Sequence, residues 1–305
     1  MPVDQAGDFC ARRRWQAYAA RTIRRKVYDM FLIDTELDWL ELRLEQMNDD
    51  VDYFIILEST TTFQEGPKPL YLERDYDRFR KYHHKMIRQT LDLSQAKLPP
   101  GDSWEQERFM RNALYDQVLT SLSGDAAPEL GDVILVSDID EIPRSSTLKA
   151  LRNCAFPPRV SLRSAFYYYS FQWLHRGEQW PHPQATYFFG KEDTIRPQTL
   201  RMDLPDDELF DAAWHCSSCH RTMEDLKTKI TSFAHKRYNH EYYLQTSKLL
   251  THVRMGEDLF ERPTEVFDRI DDNPDVPDVL RNATNAKRFA YMLDRDPING
   301  NFQDM

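Results

Sequence analysis

The chain has 305 residues, 41% of them hydrophobic, and a formal net charge of −10. That length suits one large α/β domain or two small ones with a sizeable core. The acidic balance argues against general nucleic-acid binding, which needs Lys and Arg in excess against phosphates. No run of about 18 apolar residues is present to span a bilayer.

Residues 1–25 are basic and irregular and read as a tail. Their charge comes with no apolar h-region, so they do not read as a signal peptide. A cytosolic setting, or an anchor missing from this stretch, both fit. Residues 26–305 read as one domain in two halves, 26–145 and 146–305.

Val27–Ile33 is β-prone and ends at Asp34. Thr35 with Asp38 can cap the helix that carries Leu37, Leu40, Leu44 and Met47 at helical spacing. "VDYFIILES" follows as a second strand ending in Glu58. Continuous apolar runs suit strands covered on both faces, so this start is a βαβ unit of a parallel sheet. "HHKMIRQTLDL" gives a third strand. Ser103 with Gln106 reads as a capping box opening a helix over residues 103–122. "DVILVSD" is a fourth strand, with a short helix from Ser145. An aromatic stretch over residues 159–190 lacks helical periodicity and reads as antiparallel strands and loops. Two helices, "MEDLKTKITSFAH" and "NHEYYLQTSKLLTHVRMG", and a closing one, "PDVLRNATNAKRFAYMLD", complete the chain.

The four cysteines are too few for a disulfide-dense scaffold. Cys216 and Cys219 form a lone C-x-x-C, and a structural zinc needs four ligands. Two packed thiols or one local disulfide explain it better. The sequon at Asn282 falls in a segment read as helical.

The chemistry concentrates in "GDVILVSDIDEIPR". In an open α/β sheet, ligands sit beyond the carboxyl ends of the strands. The fourth strand delivers Asp138 and Asp140 to that edge, two apart and able to face one ion. Hard oxygen ligands with substrate phosphates suit Mg²⁺ or Mn²⁺. A solvated acidic turn before the next helix is the ordinary alternative, and the role of Glu141 stays open. On the preceding helix, Glu107 and Arg111 project to the buried side with Met110 and Leu114 and are four apart. Inward charges are costly unless paired or bound. They read either as a structural salt bridge or as an anion clamp beside the acidic turn.

Aromatics over residues 166–180 cannot all face one core along a strand, because side chains alternate. Some must line a cleft or the surface, and a flat ring with a polar edge suits a sugar. Tyr168, Trp173 and Trp214 are the candidates for an acceptor surface. His215 could be a third metal ligand beside Asp138 and Asp140, although a lone histidine is more often simply packed. Glu224 opens a helix, where a carboxylate favours the dipole or could act as a general base. Asp211 or Glu141 is next in line for that role.

Several blocks in order resemble glycosyltransferase family 17. They are "VDYFIILES" followed by "GPKPL", the helix carrying Trp104, Glu107 and Arg111, "SDIDEIP", "AWHCSSC" and "NAKRFAYMLDRDP". They run over residues 27–297. The resemblance implies a GT-A-like nucleotide-diphospho-sugar transferase fold, α/β with a mixed central sheet flanked by helices. It implies metal-dependent, inverting transfer of N-acetylglucosamine from UDP-GlcNAc to a glycan, such as the β-mannose of an N-glycan core. The first half would then bind the nucleotide-sugar and the second the acceptor. Asp138 and Asp140 would hold the metal, with Asp140 the more direct ligand. Glu58 would contact base or ribose, and Glu107, Arg111 and Asp138 would lie beside the nucleotide-sugar. The family also implies a Golgi lumen, whereas this sequence shows no anchor.

Two other readings compete. Strand–D-x-D is also how haloacid-dehalogenase phosphatases present an aspartyl nucleophile, here Asp138. That family places Thr or Val where this chain has Ile142, and puts the motif on its first strand. A non-catalytic glycan-binding module is the third reading.

Overall fold

The computed structural model describes residues 3–18, 24–93, 96, 98, 99 and 101–305. The chain opens with α1 (Val3–Ala11) and β1 (Gln16–Ala17). Next come β2 (Val27–Ile33), α2 (Leu37–Met47), β3 (Tyr53–Ser59), α3 (Tyr71–Arg74) and β4 (Met86–Leu91). The first half closes with α4 (Ser103–Ala113) and β5 (Val133–Val136). β2 pairs in parallel with β5 and β3, and β3 with β4. The apolar runs require this, because β2, β3 and β5 are covered on both faces.

The second half adds β6 (Glu141–Pro143), α5 (Ser145–Asn153), β7 (Cys154–Ala155), β8 (Val160–Tyr168) and β9 (Ser170–His175). β10 (Gln184–Tyr187), α6 (Pro197–Met202), β11 (Asp207–Ser217), α7 (Met223–Ser232) and α8 (Thr246–Met255) follow. β12 (Phe267–Arg269), α9 (Ala283–Arg288) and α10 (Ala290–Leu293) end it. The main sheet runs β12-β9-β8-β10-β5-β2-β3-β4, with β11 joining β8 and β6. β10 lies antiparallel to β5, so the sheet is mixed. The class is α/β with a mixed central sheet, as the sequence indicates.

Four local expectations change. The N-terminal segment is not a tail over its described part. β1 pairs with β7, Cys10 is disulfide-bonded to Cys154, and Trp15 is buried with its indole N–H donating to Asp207 at 2.7 Å. The α4 cap is Asp102, which accepts from the amides of Trp104 and Glu105; Ser103 Oγ instead donates to the Ala234 carbonyl. Thr35 does not cap α2, whose N-cap is Glu36 without a side-chain bond. The closing helix is broken, with Asn282 capping α9 through the amides of Thr284 and Asn285.

One buried cation ties the layers together. Arg43, on the inner face of α2, is fully buried and pairs with Asp29 of β2 at 2.6 Å. Its Nη1 donates to the carbonyls of Asp138, Ile139 and Glu141. Its Nη2 also reaches Ser137 Oγ. A guanidinium offers five donors in a fixed fork, which suits this task. The Arg43→Met variant strands the Asp29 carboxylate in the core. Equilibrium unfolding in urea should show a loss of about 3–5 kcal/mol, with Asp29→Leu in the same chain recovering part of it. A loss under about 1 kcal/mol would contradict a structural role for the pair.

Candidate active site

A cleft of about 860 Å³ opens beyond the carboxyl ends of β2, β3 and β5. Its wall includes Asp138, Asp140, Glu107, Arg111, His215 and Tyr168. The acidic turn at its floor exists because β5 ends at Val136 and β6 restarts at Glu141, pairing with His215 of β11.

The three carboxylates face different partners. Asp138 is 42% exposed at its side chain. Its Oδ1 lies 3.2 Å from Arg111, and its Oδ2 2.7 Å from Arg201 of α6. Asp140 is nearly buried; Oδ1 lies 3.6 Å from His215 Nε2 and Oδ2 3.5 Å from Lys229 Nζ. Burial opposes its ionisation, but Lys229 and then His215 outweigh that and hold the carboxyl well below its ordinary range. Glu141 is fully buried, accepting from Arg201 at 2.8 Å and from the Trp180 indole at 2.8 Å. Burial again pushes its pKa up, and Arg201 more than reverses it. Glu107 and Arg111 pair at 2.6 Å, and Arg111 also bonds Gln198 at 2.9 Å. The pair is therefore both a salt bridge and part of the cleft wall.

Other sequence candidates lie elsewhere. Glu58 is buried, and its carboxylate accepts the amides of Leu72 and Glu73 at the start of α3; it does not line the cleft. An acid at a strand's end served a helix rather than a ribose. Glu224 is exposed on α7 and outside the cleft wall, with its amide donating to Asp304. Asp211 is exposed and bonded to Gln179, and Glu141 is committed to Arg201. Trp173 and Trp214 are packed in the core, Trp214 with its indole N–H on Asp275. Of the three acceptor candidates, Tyr168 alone lines the cleft. Asp138, with both oxygens on arginines, fits a cation ligand poorly.

The sequence reading missed Arg201 and Lys229. Arg201 is buried yet sits in a short exposed-looking segment, "RPQTLRM", and its contacts to Glu141 and Asp138 span about 60 residues. No local spacing reports that. Lys229 is five positions beyond Glu224 on α7, where a side chain facing the sheet edge was available to notice.

The model of "Glycosyltransferase family 17" matches residues 3–291. The chain belongs to glycosyltransferase family 17. Curated relatives named beta-1,4-mannosyl-glycoprotein 4-beta-N-acetylglucosaminyltransferase are similar to it. Those from Rattus norvegicus and Homo sapiens are each 30% identical over 128 residues, which is 40% of this chain. The matched stretch spans 22% of the rat protein and 23% of the human one. A solved structure is also similar: "Mannosyltransferase PcManGT from Pyrobaculum calidifontis in complex with GDP-Man and Mn2+". It has a TM-score of 0.32 and 13% identity over 69% of this chain and 63% of its own.

Among the described residues of this family 17 chain, no three His, Cys, Asp or Glu side chains converge as a ready metal shell. Asp140 and His215 do fit a divalent cation as two donors, an oxygen and an imidazole 3.6 Å apart. That mixed set suits Mn²⁺ better than Mg²⁺.

Because its folded pKa is lowered, ionised Glu141 stabilises the fold above its unfolded value of 4.5. That contribution is lost as pH falls toward about 2. Melting temperatures taken across this window should fall steeply for the wild type. Glu141→Gln, less stable at pH 7, should show a shallower slope; parallel slopes would count against the ion pair.

Proposed function

We propose that the chain is a metal-dependent, inverting transferase with a GT-A-like arrangement. It would move N-acetylglucosamine from UDP-GlcNAc to a glycan acceptor such as the β-mannose of an N-glycan core. The observation that carries this is Asp140. It stands at the floor of the cleft with His215 on one oxygen and Lys229 on the other.

The base and ribose fall to the ends of β2 and β3, where Asp34, Phe63 and Lys68 line the cleft in place of Glu58. Lys229 and Arg111 face the diphosphate and oppose its charge. Arg201, buried between Glu141 and Asp138, fixes the turn so that Asp140 does not reorganise during reaction. A divalent metal on Asp140 and His215 would supply Lewis-acid stabilisation of the departing diphosphate. Two disulfides leave no free cysteine, which supports an oxidising compartment such as the Golgi lumen. Among the described residues, no helix is long and apolar enough to cross a membrane. The phosphohydrolase reading needs Asp138 as a free nucleophile, and two arginines occupy it.

The test is a panel of UDP-sugars with Mn²⁺, following UDP release with and without glycan acceptors. UDP-GlcNAc with a mannose-containing acceptor should give the highest rate. Asp140→Ala should lose at least about 100-fold in transfer, along with Mn²⁺-dependent UDP binding. Undiminished transfer by that variant would remove Asp140 from the mechanism.

A further inference from the structure

With Glu224 outside the cleft, the transferase reading lacks a group to deprotonate the acceptor. The carboxylates of the cleft wall can be sorted by what holds them. Asp138 and Glu107 are bound by arginines, Glu105 by Arg108, and Asp34 by Lys68. Asp140 carries Lys229 and His215. Glu36 belongs to the loop after β2, at the nucleotide end, and accepts the Asp34 amide at 3.0 Å. His182 lines the cleft, but burial and then Arg201 depress its basicity.

Glu265 is left. It lines the cleft from the second half, just before β12; among the described contacts no lysine or arginine is within ion-pair distance of it, although the nearby Arg262 guanidinium, which pairs with Asp258, feels its charge. Its Oε2 lies 3.3 Å from His175 Nε2, and its Oε1 accepts from Thr264 at 3.3 Å. β12 sets this distance, since Phe267 is in register with His175 of β9. The other ring nitrogen of His175 is buried without a partner, so Nε2 is the nitrogen committed to Glu265. Gly177 leaves room for the ring, because a Cβ there would collide with it.

Phe166 connects His175 to the floor. Its ring lies 5.2 Å from that of His175 and stacks on His215 at 4.9 Å. Trp180 stands 5.5 Å away on the same wall. Glu265 is thus linked through two rings, His175 and Phe166, to the histidine beside Asp140, along one wall of the cleft. A sugar lying on such a shelf presents its hydroxyls at the ring edges.

Resting on the transferase reading above, we propose that Glu265, oriented by His175, is the general base for an acceptor sugar lying on the Phe166–Trp180 shelf. As the acceptor oxygen bonds to C1 of the donor sugar, the C1–O bond to the diphosphate breaks. The electron pair leaves with UDP, and the acceptor proton passes to the Glu265 carboxylate.

The experiment compares wild type, Glu265→Gln and His175→Gln. Donor binding is measured by calorimetry with UDP-GlcNAc and Mn²⁺, and transfer with a hydroxyl acceptor and with its thiol analogue. Glu265→Gln should bind donor within about twofold of wild type and lose about 100-fold or more in kcat, as expected for a general base. The thiol, already ionised in part near neutral pH, should recover most of that loss. His175→Gln should show a smaller fall with the same thiol recovery. Wild type that binds donor but transfers to neither acceptor would sink the transferase reading itself. Wild-type transfer with Glu265→Gln unimpaired, or no gain from the thiol, would overturn the base assignment alone.

Discussion

Arg43 reaches from α2 to the underside of the acidic turn and donates to three carbonyls there, while Asp29 neutralises it. A tight turn crowded with carboxylates has backbone oxygens pointing away from its side chains. Those oxygens need donors, because buried polar groups without partners are costly. One guanidinium supplies them and links β2, α2 and the turn. The side chains of Asp138, Asp140 and Glu141 can then be directed to their cations, Asp138 and Glu141 sharing Arg201 and Asp140 meeting Lys229. Removing that support would disturb all three carboxylates together.

Above the turn, charge is arranged in pairs. Arg111 and Arg201 meet on Asp138, Arg201 continues to Glu141, and Lys229 attends Asp140. Each cation is fixed by a neighbour before any anionic ligand arrives. Such preorganisation is what makes electrostatic stabilisation effective in a water-poor cleft. It also explains how an acidic protein can gather fixed cations at one cleft. The local sign is set by a few fixed side chains rather than by the net charge.

The parallel half was legible because its strands are continuous apolar runs and the acids of the cleft floor follow one of them directly. Glu107 and Arg111 were legible as a pair because helical spacing is local. The second half was harder. Aromatics declare burial but not which side of the sheet they occupy, so Trp173 and Trp214 were indistinguishable from Tyr168. Acids at strand or helix ends, such as Glu58 and Glu224, signal caps as readily as chemistry. Arg43 and Asp29 left a trace that could have been used, each being a charge within an otherwise apolar stripe. Arg201 left none, because its contacts depend on where α6 packs.

The Cys10–Cys154 bridge joins residues 144 apart in sequence. Its loop encloses every strand of the parallel half and the whole acidic turn. Topologically, the oxidised chain is a ring holding the parallel half, with the elements after Cys154 trailing from it as an open arm. In the chain-entropy account, closing a ring of this size contributes about 5 kcal/mol to the fold. It acts on the unfolded chain and adds no contact to the cleft. The two halves of the cleft therefore begin folding under different conformational freedom, one already looped and the other free.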